Sequence, residues 1–335
     1  MIRSVLICLL VATTCLGFAQ SRLLSALDMS EQYEGDSTII FLDIRDSSSY
    51  HAAHVPGAIN IPSRSKYGCD TCSIRGLMIY KDELEIYLGS IGVPTGSTLF
   101  LYDGRGGVSA SRLWWILDCY GFPDAYILDG GFNSWTEAGL AVESEISERD
   151  SADFYLGGSK FLKYFANLKD VIKAKDDPEY VIVDTRTLEE YEGKIQKDGA
   201  SRAGRIPGAV WLDWSASIDY YGDQAFHEKD SLRKLFESNG ITADKRIITY
   251  CQSGTRSAHT VFVLSQLLDY PDVRNYDGSW IEWSAHEELP IDTGAVAIVE
   301  DEYVATYWEV FSSSFSSFFG YMWSEITLQA RPIYI

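Results

Sequence analysis

The chain repeats itself, and the repeat constrains its fold more than any other feature. Ile40-Phe41-Leu42-Asp43-Ile44-Arg45 reads like Val181-Ile182-Val183-Asp184-Thr185-Arg186, at an offset of 141 residues. His54-Val55-Pro56-Gly57-Ala58 matches Arg205-Ile206-Pro207-Gly208-Ala209 at 151, and the ten-residue difference fits an insertion around Gly193 to Ser201. Phe100-Leu101-Tyr102-Asp103-Gly104 aligns with Ile248-Thr249-Tyr250-Cys251-Gln252 at 148. Leu128-Asp129-Gly130-Gly131-Phe132-Asn133-Ser134-Trp135 aligns with Tyr276-Asp277-Gly278-Ser279-Trp280-Ile281-Glu282-Trp283, again at 148. Four matches in one order indicate a duplicated unit.

Each unit alternates short β-branched runs with helical patterns. The predicted strands are Ile39–Leu42, Thr98–Tyr102 and Ala125–Leu128 in the first unit, and Tyr180–Val183, Ile247–Tyr250 and Val273–Tyr276 in the second. An amphipathic helix is predicted over Ser109–Tyr120, with Leu113, Ile116, Leu117 and Tyr120 on one stripe. Strands alternating with helices imply an α/β fold: two tandem domains, each a mostly parallel sheet with helices on both faces. The expected boundaries are 20–145 and 159–292, joined by a polar linker at 146–158 within the charged stretch from Glu143 on. An aromatic- and serine-rich extension of unassigned role follows at 293–335. Ligands of such folds bind at the carboxyl ends of the strands.

Cys251 falls at one of those ends. The run Arg246 to Tyr250 stops there, Cys251 to Arg256 forms a loop, and Val261, Leu264 and Leu268 announce a helix beyond it. Strand, short loop and helix aim backbone N–H groups and the positive end of a helix dipole at one point. A thiol there, next to Arg256, is expected below the ordinary free value of about 8.5 and partly ionised at neutral pH. Gly254 lets the loop close without a Cβ penalty.

Residues 1–19 read as a cleavable export signal, with Arg3, an apolar run from Val5 to Leu16, and small residues before the cleavage point. The run is too short for a membrane span. Of the cysteines beyond it, Cys69 and Cys72 suit a small disulfide in an oxidising compartment, and a metal reading finds no further ligands nearby. Cys119 lies in an aromatic-rich helical pattern and is expected in the core. Cys251 is the odd thiol left over. A net charge of −20, spread along both halves, excludes nucleic acid or an anionic membrane as the main partner. Positive charge for an anionic substrate must therefore be local.

Two chemistries use a thiolate in such a loop. Protein tyrosine phosphatases and related enzymes place five residues between cysteine and arginine, enough for a phosphate. Here only Gln252, Ser253, Gly254 and Thr255 intervene, and the tighter ring suits the outer sulfur of a persulfide, held by loop N–H groups as an oxyanion is.

With Cys251-Gln252-Ser253-Gly254-Thr255-Arg256-Ser257, both Pro-Gly-Ala stretches, and the Asp-Gly-Gly-Phe and Asp-Gly-Ser-Trp stretches, residues 30–290 resemble the tandem-domain rhodaneses. These are sulfurtransferases of the thiosulfate and 3-mercaptopyruvate family. The resemblance implies a catalytically silent first domain, and Asp103 stands at its cysteine position, where a local ion pair with Arg105 is the expectation. It further implies ping-pong transfer. Cys251 takes sulfur from a small anionic donor and passes it to cyanide, a thiol or a thioredoxin-like acceptor, with no metal or organic cofactor. Arg186 matches the family's donor-binding arginine, and Arg256 with residues 252–255 would line the donor site.

Donor choice is where this sequence departs from the family. Gln252 and Ser253 are neutral where the animal thiosulfate enzyme is basic, and Glu190 replaces its second substrate arginine. Mercaptopyruvate-type loops share only Ser253 and Gly254. Arg256 favours thiosulfate, with 3-mercaptopyruvate as the alternative. A phosphatase or arsenate reductase and a non-enzymatic sulfur carrier are the competing classes. A monomer is expected.

Overall fold

The computed structural model describes residues 21–33, 36–62, 66–69, 72–146, 149–157 and 162–295. The expected export signal at 1–19 and the extension beyond residue 295 lie outside the described residues.

In the first unit the chain forms β1 (Leu23–Leu24), α1 (Ala26–Tyr33), β2 (Ile39–Asp43), α2 (Ser47–Ala52), β3 (Ile59–Asn60) and α3 (Lys81–Ser90). It continues with β4 (Thr98–Tyr102), α4 (Val108–Cys119), β5 (Ala125–Leu128) and α5 (Gly131–Glu137). The second unit holds β6 (Phe165–Ala166), α6 (Leu168–Ala174), β7 (Tyr180–Asp184), α7 (Leu188–Tyr191), β8 (Val210–Trp211) and α8 (Lys229–Ser238). It ends with β9 (Arg246–Tyr250), α9 (Thr255–Phe262), β10 (Val273–Tyr276) and α10 (Ser279–Ala285).

Each unit builds one five-stranded parallel sheet, ordered β1-β5-β4-β2-β3 and β6-β10-β9-β7-β8. The two registers match: Asp43 pairs with Tyr102 in one sheet and Asp184 with Tyr250 in the other. β2 is buried along its whole length, as expected of a central strand covered on both faces. Among the described residues no helix is long and apolar enough to cross a membrane.

The helix expected to be amphipathic over Ser109–Tyr120 is instead buried all round. In α4, Leu113, Trp114, Trp115, Ile116 and Leu117 are all inaccessible to solvent, because one face packs on its own sheet and the other on the second unit. Trp114 meets Phe262 of α9 edge-on at 4.9 Å, and Trp115 Nε1 donates to the Tyr164 carbonyl at 2.8 Å. One apolar cluster therefore runs through both units, and truncating either tryptophan to alanine should cost about 3–5 kcal/mol. Cys119 lies in that cluster, buried and outside any disulfide. Where it is described, at 149–157, the polar connection is packed down. Ala152 N–H donates to the Gly89 carbonyl, Thr95 N–H to that of Asp153, and Phe154 and Leu156 are buried.

A pseudo-two-fold relation docks the units. Met78 N–H of the first unit donates to Asp277 of the second at 2.9 Å, and Phe226 N–H of the second donates to Asp129 of the first at 2.9 Å. Phe226 and Asp277 lie 148 residues beyond Met78 and Asp129, the offset read from the repeat. Met78 sits on a segment closed by the Cys69–Cys72 disulfide and the Gly68–Met78 bridge, and Phe226 on one closed by the Ile218–Phe226 bridge. Each unit thus lays an excursion across the loop of the other.

Candidate active site

β9 ends at Tyr250, so Cys251 stands at the carboxyl edge of the second sheet, and four residues later the chain is in α9. Gly254 makes the turn at φ 80°. A Cβ there would sit 2.8 Å from Nη1 of Arg112 and 2.9 Å from the Asp277 carbonyl oxygen, so both conformation and space demand glycine.

Cys251 is only 1% exposed. Its N–H donates to Ser279 Oγ at 3.2 Å, and its carbonyl accepts the Trp280 N–H at 2.9 Å. Burial pushes the thiol upward. The Arg256 charge, the Ser257 hydroxyl and N–H, and the Ser253 N–H more than offset this, and the thiol is lowered to about 7. A substantial thiolate fraction at neutral pH follows.

The first unit shows what its equivalent loop is shaped to hold. Asp103 Oδ1 accepts the N–H groups of Arg105 (2.8 Å) and Gly107 (2.9 Å), and Oδ2 those of Ser109 (2.7 Å) and Ala110 (3.1 Å). These are backbone bonds. The expected ion pair of Asp103 with the Arg105 side chain is not how the carboxylate is held, and Arg105 is exposed. Arg105 and Ser109 are the counterparts of Ser253 and Ser257, the two residues whose N–H groups act on Cys251. Equivalent amides thus face a carboxylate in one unit and a sulfur in the other.

Arg256 is held by Glu190 through a fork, Nη1 to Oε2 at 2.7 Å and Nη2 to Oε1 at 2.9 Å. Burial works against the Glu190 carboxylate, yet the Arg256 bonds and charge, with Lys197 and Arg186, hold it down to about 2. Burial likewise works against the Arg256 charge, and Glu190, Cys251 and Asp213 raise its pKa above the ordinary value. Lys197 Nζ lies 3.3 Å from Glu190 and is 47% exposed. Gln252 Nε2 donates to the Asp198 carbonyl at 3.1 Å. The insertion expected around 193–201 therefore borders the loop and carries a second cation to it. Ser253 and Thr255 are half-buried beside them.

Arg186 is buried and tied to the second sheet. It is 1% exposed and spends Nε and Nη2 on Asp184, at 2.9 and 2.5 Å, with Nη2 also on the Gly204 carbonyl at 2.7 Å. Its guanidinium stacks over Trp280 at 4.6 Å. Arg45 of the first unit repeats the arrangement on Asp43 and the Ala53 carbonyl, where there is no cysteine to serve. A geometry kept in both units serves the fold.

Three residues at the site were not singled out from the sequence, Arg112, Asn275 and Asp277, nor was His259, which bonds the equivalent loop of the first unit. Arg112 Nη2 donates to Asp277 at 2.6 Å, and Asn275 Nδ2 donates to the Gly254 carbonyl at 2.9 Å. An arginine inside the apolar Ser109–Tyr120 run was the available signal, since a buried charge requires a partner.

The sequence profile described as "Rhodanese-like domain" matches residues 25–138 and 167–286. Similar proteins include the thiosulfate sulfurtransferase of Pseudomonas aeruginosa, 31% identical over 77% of this chain and 92% of that one. A putative thiosulfate sulfurtransferase of Haloferax volcanii is 32% identical over 81% and 93%. A Thermus thermophilus protein named sulfur carrier protein TtuD is 30% identical over 83% and 99%. Among solved structures, an EanB variant in complex with ergothioneine superposes with a TM-score of 0.74 at 23% identity, covering 82% of this chain and 70% of that one, a likeness of fold. With one match on each unit, the chain belongs to the rhodanese family as a tandem of two rhodanese-like domains.

Proposed function

We propose that the protein is a sulfurtransferase that carries sulfane sulfur on Cys251, with thiosulfate as donor. The Cys251 thiolate attacks the outer sulfur of thiosulfate, the sulfur–sulfur bond breaks, and sulfite leaves with the bonding pair. The outer sulfur of the Cys251 persulfide then carries the negative charge, and the loop N–H groups stabilise it. Cyanide or a thiolate attacks that sulfur, leaves as thiocyanate or a persulfide, and returns the Cys251 thiolate.

The observation that carries this reading is the pair of equivalent cradles. Four N–H groups close on the Asp103 carboxylate in the first unit, and the counterparts of two of them, at Ser253 and Ser257, act on a lowered thiol in the second. The relatives named thiosulfate sulfurtransferase support it. Arg256 and the half-exposed Lys197 supply positive charge for an anionic donor, although Glu190 shares both. Export belongs to the same proposal: it rests on residues 1–19 and on the Cys69–Cys72 disulfide, which oxidising compartments sustain.

The test is thiocyanate formation from thiosulfate and cyanide, run beside 3-mercaptopyruvate as donor. Turnover with thiosulfate that disappears in Cys251→Ser is expected. Turnover with 3-mercaptopyruvate alone would transfer the donor assignment, and full activity in Cys251→Ser would end the proposal.

A further inference from the structure

Gly254 and Gly106 are equivalent residues in the two loops, and the carbonyl of each is held from across the domain interface. Arg112 of the first unit, fully buried, directs Nη1 at the Gly254 carbonyl at 3.2 Å. Nη2 of the same guanidinium bonds Asp277 Oδ1 at 2.6 Å and the Gly76 carbonyl at 3.1 Å, and the cation stacks on Trp115 at 4.6 Å. In the opposite direction, His259 of the second unit places Nε2 3.1 Å from the Gly106 carbonyl. A carbonyl can only accept, so Nε2 carries the proton.

A trans peptide is planar, with its C=O and N–H pointing opposite ways. Pinning the carbonyl outward therefore aims the next N–H inward. The first unit shows both halves of this coupling: the Gly106 carbonyl is held by His259, and the following N–H, of Gly107, donates to Asp103 at 2.9 Å. In the second unit the peptide linking Gly254 and Thr255 occupies the same place, and its N–H belongs to Thr255.

The two sides differ in strength. At the Gly254 carbonyl, Arg112 is joined by Asn275 Nδ2 at 2.9 Å. The counterparts of Arg112 and Asn275 by the 148-residue offset are Thr260 and Ile127, neither of which carries a charge or an amide. The doubled, charged clamp is present only on the loop that holds the cysteine.

We propose that Arg112, supplied by the silent domain, is a positioning residue for sulfur transfer: it fixes the peptide between Gly254 and Thr255 so that the Thr255 N–H faces the outer sulfur of the Cys251 persulfide. The first domain then completes the sulfur cradle of the second in addition to sharing its core. The role rests on the sulfurtransferase reading for its substrate, but not for the aim of the peptide at Cys251.

Removing Arg112 alone strands Asp277, so the test pairs Arg112→Met with Asp277→Asn. Arg112→Lys serves as the conservative variant, and Asn275→Ala removes the second donor on Gly254 without touching the first domain. Two readouts are taken on full-length protein that retains a cooperative thermal transition. One is the rate of sulfur loading from thiosulfate onto Cys251, followed by intact mass. The other is the pH midpoint of Cys251 alkylation by iodoacetamide. The paired variant and Asn275→Ala are expected to slow loading by about tenfold, short of the 10²–10³ seen when an oriented donor is deleted outright. They should also raise the alkylation midpoint, with Arg112→Lys intermediate. A latch that merely joined the domains would change melting temperature in the Arg112 variants and leave Asn275→Ala unaffected. Wild-type loading rate and midpoint in folded variants would overturn the proposal. If the wild-type protein takes up no sulfur at all, the sulfurtransferase reading fails separately, and the alkylation midpoint decides the role of Arg112.

Discussion

Arg256 and Glu190 face each other through two N–H···O bonds of 2.7 and 2.9 Å, with the carboxylate side chain only 1% exposed. The arginine that lowers the Cys251 thiol is thus also the partner of a buried acid. Arg256→Ala should raise the thiol midpoint by about a unit or more and destabilise the fold by about 3 kcal/mol, because Glu190 is left buried without its partner. Adding Glu190→Gln should recover much of the stability and none of the thiol shift. Urea unfolding and Cys251 alkylation against pH read the two effects apart.

The thiol at about 7 sets the pH dependence of sulfur loading. The attacking species is the thiolate, so single-turnover loading should be nearly flat above pH 8. Below about pH 7 it should fall by about tenfold per unit. Rapid-quench measurement with thiosulfate in excess checks this, and a rate independent of pH between 5 and 8 would count against the thiolate.

Stability should also decline on the acid side, for a reason that lies at the domain interface. Burial, opposed by the bond to the Gly106 carbonyl, lowers His259 to about 3 from 6.5. Between pH 6.5 and 3 the unfolded chain binds a proton there that the folded chain does not. Stability therefore falls with pH by about 1.4 kcal/mol per unit from this group. Glu190, held to about 2, adds a loss as pH drops from 4.5 toward 2. His259→Gln keeps a donor for Gly106 and should flatten the segment between 6.5 and 4.5 in urea titrations.

Much of this site was legible in the sequence because it depends on short-range order. The strand running into Cys251, the four-residue loop, the glycine at its turn and the equivalence of Asp103 all follow from local pattern and from the repeat. An Asp-Thr-Arg triplet does not tell which way Arg186 turns; its twin Arg45, visible in the repeat, makes the same aspartate pairing and shows that this geometry serves the fold. Glu190 looked like a lost substrate contact and is the partner of Arg256, a pairing across 66 residues of sequence. Arg112 meets Asp277, and His259 meets Gly106, only because the two units dock face to face, and no local pattern encodes that docking. α4 misled for the same reason: its second apolar face is covered by the other domain.

The first domain should take up no sulfur when a cysteine replaces Asp103. Asp103→Cys places a thiol in the cradle, but Val108 stands where Arg256 would be, and no charge there lowers the thiol. The Ile218–Phe226 excursion also lies across this loop: a Cβ on Gly106 would overlap Ile218 Cδ1 at 2.2 Å. Peptide mapping of thiosulfate-treated Asp103→Cys should find added sulfur on Cys251 alone. Losing the carboxylate that accepts four backbone N–H groups, two of them buried, should cost at least about 2 kcal/mol.

The most direct test of sulfur transfer through Cys251 is the intact mass of the protein after thiosulfate treatment and removal of small molecules. One added sulfur atom is expected, located to Cys251, released by cyanide as thiocyanate and absent in Cys251→Ser. An unchanged mass in the wild-type protein, or the same added sulfur in Cys251→Ser, would contradict it.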